Sequence, residues 1–97
     1  MHVALCRVSL RLHGSRSLKQ KRQVSASIIP RIRRRFNVAI AEIDDNNLWQ
    51  RLTLGISFVS NDSRHANEVI SKVLDYIIEI KGEVEFLDHE LEMINAF

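Results

Sequence analysis

No Asp or Glu occurs in the first 41 residues of this 97-residue chain, although ten Lys or Arg do. The other 56 residues hold all twelve carboxylates and only four Lys or Arg, so a net charge of +2 conceals halves of about +10 and −8. A concentrated positive field of this kind attracts polyanions and speeds encounter with them. A single cysteine, Cys6, excludes an intramolecular disulfide and removes any need for an oxidising compartment. No apolar run approaches the ~18 residues of a membrane span, and alternation begins as early as Val3, so a signal peptide is not expected. One Pro and three Gly leave no room for a flexible internal linker or a glycine-rich nucleotide loop. The expectation is one domain over residues 1–97, without cofactor or membrane, in a reduced cytoplasm.

Residues 3–12 alternate with period two, placing Ala4, Cys6, Val8, Leu10 and Leu12 on one face of a half-buried strand. Gly14-Ser15-Arg16 breaks it, and Ser17 with Gln20 reads as a capping box. Leu18, Ser25, Ile28, Ile32 and Phe36 then form one helical stripe, with Lys19, Arg22, Arg33 and Arg34 on the opposite side. Pro30 interrupts one backbone hydrogen bond without changing the phase, so the helix is continuous but kinked. Val38 to Ile43, a polar turn of about four residues and alternating Leu52, Leu54, Ile56 and Phe58 read as a hairpin. Ser60-Asn61-Asp62-Ser63 caps a second helix whose stripe is Ala66, Val69, Ile70, Val73, Ile77 and Ile80, ended by Gly82. In the last segment Val84 and Phe86 fall out of phase with Leu87, Leu91 and Met93, which a bulge near Leu87-Asp88 reconciles.

The order β-α-β-β-α-β predicts a ferredoxin-like sandwich, with two helices on one face of an antiparallel sheet ordered 4-1-3-2. Taking the first and third strands as parallel neighbours puts both strand-to-helix loops at one end of the sheet. His13, Gly14, Ser15, Arg16 and Lys19 would then meet Ser60, Asn61, Asp62, Arg64 and His65 in a phosphate-binding rim at two helix N-termini. A plainer alternative is that Ser17 and Asp62 only cap helices; the Asp62 carboxylate would also repel an anion. The basic helix face of Lys19, Arg22, Arg33 and Arg34, bordered by Arg31 and Arg35, is the second candidate. It suits phosphates contacted without base reading, or else a solvated face or the acidic half of another molecule.

The open sheet face lacks the mid-strand aromatics that stack bases in sheet-type RNA readers. Trp49 alone, at the start of the third strand, could offer a stacking platform beside Arg51. Trp49, Val3, Leu5 and Val59 are instead expected, with Arg51, at a homo-oligomer interface, because uncovered apolar patches are sticky. His2, His13, His65 and His89 are scattered, with no metal-ligand spacing, and Cys6 faces the core. Glu83, Glu85, Glu90 and Glu92 read as charges that protect an edge strand. No catalytic residue is assigned.

Five blocks carry a resemblance that spans nearly the whole chain. They are Gly14-Ser15-Arg16-Ser17-Leu18-Lys19 with Lys21-Arg22, Arg33 to Val38, Ala41 to Asp44, Leu48 to Arg51, and Val59 to Asp62 with Arg64-His65-Ala66. In these the chain resembles the YlxP-like family of small bacterial proteins. Pro30 and the Asn46-Asn47 turn depart from the family pattern. The resemblance implies a ferredoxin-like fold, a cytoplasmic setting and genomic proximity to genes for a translation initiation factor and a ribosome-binding maturation factor. It implies no established activity.

The functional expectation is a non-catalytic module that binds RNA or the ribosome through Arg16, Lys19, Arg22, Arg33, Arg34, Arg64 and His65. An oligomeric protein–protein adaptor is the alternative. A small phosphoryl-group hydrolase of acylphosphatase-like architecture, with Arg16 on phosphate, comes third and rests on fold analogy.

Overall fold

Alternation along β1 (His2–Leu12) buries Ala4, Cys6, Val8, Leu10 and Leu12 on one side. In the computed structural model, which describes residues 1–80, 82 and 84–97, the chain continues through α1 (Leu18–Arg35), β2 (Ala39–Asp44), β3 (Arg51–Ser60), α2 (Ser63–Glu79) and β4 (Val84–Asn95). The four strands form one sheet in the order β2-β3-β1-β4 with every neighbour antiparallel. Both helices lie on the face that carries the β1 core residues. This is the ferredoxin-like α+β arrangement.

One geometric expectation fails. β1 and β3 are neighbours, but they run antiparallel, with His2 opposite Ser60 and Arg11 opposite Arg51. The cause is connectivity: the α1 crossover returns β2 parallel to β1, and the hairpin then reverses β3. The β2–β3 connection is also longer than expected, six residues from 45 to 50, because β2 extends to Asp44 and β3 starts at Arg51.

Local chemistry sets the helix limits. Ser17 Oγ accepts from Gln20 N at 3.1 Å, and the Gln20 side chain reaches back to the Arg16 N–H, so two N-terminal donors are satisfied reciprocally. α1 runs unbroken through Pro30 and closes with Phe36 N–H donating to Ile32 O at 2.9 Å. Asp62 caps α2 through Arg64 N–H at 3.0 Å. Past the end of α2, Gly82 takes a φ of +103°, where a side chain would be strained. Lys81 and Glu83 lie outside the described residues.

The β4 phase change is a bulge, with register against β1 shifting so that Asp88 pairs with Ser9 and Phe86 with Leu10. Leu87 is the extra residue, which returns Leu91 and Met93 to the helix-facing side opposite Cys6 and Ala4.

Ile28 and Ile32 of α1 and Ala66, Ile70, Val73 and Ile77 of α2 close the core over Leu52, Leu54 and Ile56, with Val24 and Val69 packed at its margin. Val73 has no exposed surface. Val73→Ala is therefore expected to lower unfolding free energy by roughly 1–3 kcal/mol through lost burial and an unfilled space, read by urea denaturation. Cys6 is 4% exposed, and burial raises its thiol pKa above the ordinary value. It is expected to react with a thiol reagent only after denaturant is added; rapid labelling of the native protein at pH 8 would contradict its place in the core.

Candidate functional site

α1 carries seven basic residues, Lys19, Lys21, Arg22, Arg31, Arg33, Arg34 and Arg35, and no acidic one. At 100° per residue, Lys19, Arg22, Arg33 and Arg34 fall on one outward face, with Arg22 and Arg33 about 16 Å apart along the axis. All four are exposed. Among the described residues, Lys21 is the one α1 cation in an ion pair. Two others have non-ionic partners: Arg33 donates to Ile40 O at 3.0 Å, and the Arg35 guanidinium stands 5.0 Å from the centre of the Tyr76 ring. The ring of Tyr76 meets Phe36 edge-on, which ties the end of α1 to α2. The outward charge of α1 is thus almost entirely uncompensated.

The two-loop rim does not exist. Because β3 opposes β1, Arg16 and Lys19 lie roughly 30 Å from Arg64 and His65, at opposite ends of the sheet. Each helix N-terminus is also occupied from within. Ser17 and Gln20 take donors in the first loop, while Asp62 takes the Arg64 N–H and Ser60 Oγ the Asp62 N–H in the second. His65 packs edge-on against Phe58, with ring centres 5.6 Å apart. Arg16 remains exposed beside the α1 basic face; Arg64 and His65 belong to another surface.

Sequence reasoning missed Lys21. Its side chain is 2% exposed, with Nζ 2.8 Å from Glu42 Oε2 and donating to Asp45 O at 2.5 Å. The Glu42 oxygen is buried and lies outside hydrogen-bonding geometry, so the contact is an ion pair alone. Asp45 adopts a left-handed φ of 59°, and its carboxylate accepts from Thr53 Oγ1 at 2.7 Å and faces Arg51 Nε at 3.4 Å. Lys21 thus fastens the underside of the β2–β3 loop while Thr53 and Arg51 hold its other side. The signal was present: Lys21 precedes Ile28 and Ile32 by seven and eleven residues, on the same stripe.

On the open face, Val3 lies between Val59 and Ile94, one row from Leu5. Trp49 and Arg51 stand at the other end, about 26 Å along β1. Trp49 is 53% exposed, in the loop before β3. Arg7 hydrogen-bonds Glu90 and stands 3.7 Å from Asp44; the Glu90 contact, above all, holds its guanidinium pKa above the ordinary value. Among the described residues, His, Cys, Asp and Glu nowhere gather as a metal-ligand group of three, and no described helix is long and apolar enough to cross a membrane.

A family model described as "Protein of unknown function (DUF503)" matches residues 3–91, covering both helices and all but the end of β4. The chain belongs to the DUF503 family. It is 36% identical over 66 residues to the uncharacterized protein YlxP of Bacillus subtilis (strain 168), a match covering 68% of this chain and 72% of that protein. The resemblance read from the five sequence blocks is therefore correct. The basic face of α1 lies within the DUF503 match, as do the two loops that the fold separates.

Proposed function

We propose that this DUF503 chain is a cytoplasmic, non-catalytic module that binds RNA or a ribonucleoprotein through the outer face of α1. The supporting observation is the run of exposed α1 cations, with no carboxylate on their own helix and none of them ion-paired among the described residues; the α1 cation that is paired, Lys21, points inward. Counterion release from phosphates rewards such a surface, and a smooth helix face outside any groove contacts backbone rather than base edges. The genomic setting that the YlxP-like resemblance implies agrees with a partner in translation.

The test is retention on purified ribosomal RNA across a salt series. Four contacts, from Lys19, Arg22, Arg33 and Arg34, correspond to a slope of log affinity against log salt of about −3. Absence of retention at low salt would refute the reading. Capture of a protein partner that is indifferent to salt would support the adaptor in its place.

A further inference from the structure

The face of the sheet away from the helices is built in two unequal halves. Row by row, β2 and β3 present small residues, Ala39 with Ser57 and Ala41 with Gly55, whereas β1 and β4 present large ones, Leu5 with Glu92 and Arg7 with Glu90. A Cβ at Gly55 would come 2.6 Å from Ile43 Cγ2, so any larger residue there would have to displace the Ile43 side chain that leans over it. The result is a shallow hollow of about 790 Å³ floored by the small residues and walled by Leu5, Arg7 and Ile43. At one end of the same face lie Val59, Ile94 and Leu5, exposed by 57%, 40% and 36%.

We propose that this face is covered by a second copy of the chain, stacked sheet to sheet about a two-fold axis running along the strands between β3 and β1. That operation places β1 over the partner's β3 and β4 over the partner's β2. Each hollow then receives the large side chains of the other copy, an isologous fit in which one surface supplies both shapes. Charge permits it: Arg7 is flanked by Glu90 and Asp44 within its own chain, and Glu92, exposed on the edge strand β4, falls at the solvent rim of the stack while Leu5 and Val59 fall nearer its centre. Area permits it too. With strands about 4.8 Å apart, about ten residues overlapping in β1 and β3 and six where β4 faces the six-residue β2, each copy covers roughly 500 Å², so two copies bury about 1,000 Å², the lower end for a specific interface. Edge-to-edge pairing through β4 is disfavoured, because β4 is bulged and lined by Glu85, Asp88, Glu90 and Glu92.

Sedimentation of the full chain at tens of micromolar is expected to give twice the 11.2 kDa chain mass. Leu5→Glu with Val59→Glu, both on exposed positions, should raise the dimer dissociation constant at least a hundredfold with an unchanged far-ultraviolet spectrum, because carboxylates would be buried against the partner sheet. Ala39→Arg, which fills the hollow from an exposed edge-strand position, should act alike and decides the matter should the double variant fail to fold. A monomeric wild type, or a dimer undisturbed by Ala39→Arg, overturns the proposal.

Discussion

Replacing Arg22, Arg33 and Arg34 together with Ala is expected to weaken RNA binding about a hundredfold near 0.1 M salt. It should also lower the salt slope by about 2.1 to 2.7, at 0.7–0.9 per lost phosphate contact. Preference among RNA sequences should stay as it is, because nothing on this face reads base edges. Arg33 also serves the fold through its bond to Ile40 O, so some loss of stability accompanies that variant. Lys19→Ala with Arg22→Ala and Arg34→Ala breaks no side-chain hydrogen bond or ion pair among the described residues and should reproduce most of the binding loss. Binding as tight as wild type with an unaltered slope, measured by fluorescence anisotropy, would hand the arginines to a protein partner.

The largest expected effect on stability comes from Lys21→Ala. It strips Glu42 of its countercharge and the Asp45 carbonyl of its donor, and it deletes a buried four-carbon stem. Breaking a buried ion pair from one side costs about 3–5 kcal/mol, and the low end applies because the Glu42 side chain keeps 23% of its exposure. At 4–8 °C per kcal/mol for a domain of this size, the melting temperature should fall by roughly 12 °C or more. Lys21→Met combined with Glu42→Gln keeps the packing and removes both charges, so it should recover a large part of the loss. A Lys21→Ala protein that melts within a degree or two of wild type would show that the pair contributes nothing.

Most of the fold is legible in the chain because its signals are local and mutually consistent. Alternation at Ala4 to Leu12 marks a strand covered on one side, Ser17 and Gln20 mark a helix start, and the phase slip between Phe86 and Leu91 marks a bulge. Strand direction is not local. Reading β1 and β3 as parallel joins two loops that the crossover and hairpin hold apart, and the phosphate rim disappears with that step. Lys21 escapes for a different reason: a cation on an apolar stripe looks like an error in the pattern until its partners, Glu42 and Asp45, arrive from elements twenty-one and twenty-four residues later. The basic face is legible because exposure demands only that a residue avoid the stripe.

The central place of β1 has a consequence for how the chain acquires its structure. β1 is paired on one side with β3 and on the other with β4, whose partners lie up to 93 residues away, as with His2 and Asn95. α1, by contrast, draws on bonds only four residues long and can form early. Its arginines can therefore be helical and exposed while the sheet beneath them is still open. Closure must wait for the last strand, and loop-closure entropy at that separation makes it the slow event, on the millisecond-to-second scale of proteins rich in non-local pairings. During synthesis, the apolar row from Ala4 to Leu12 is made first and sealed last.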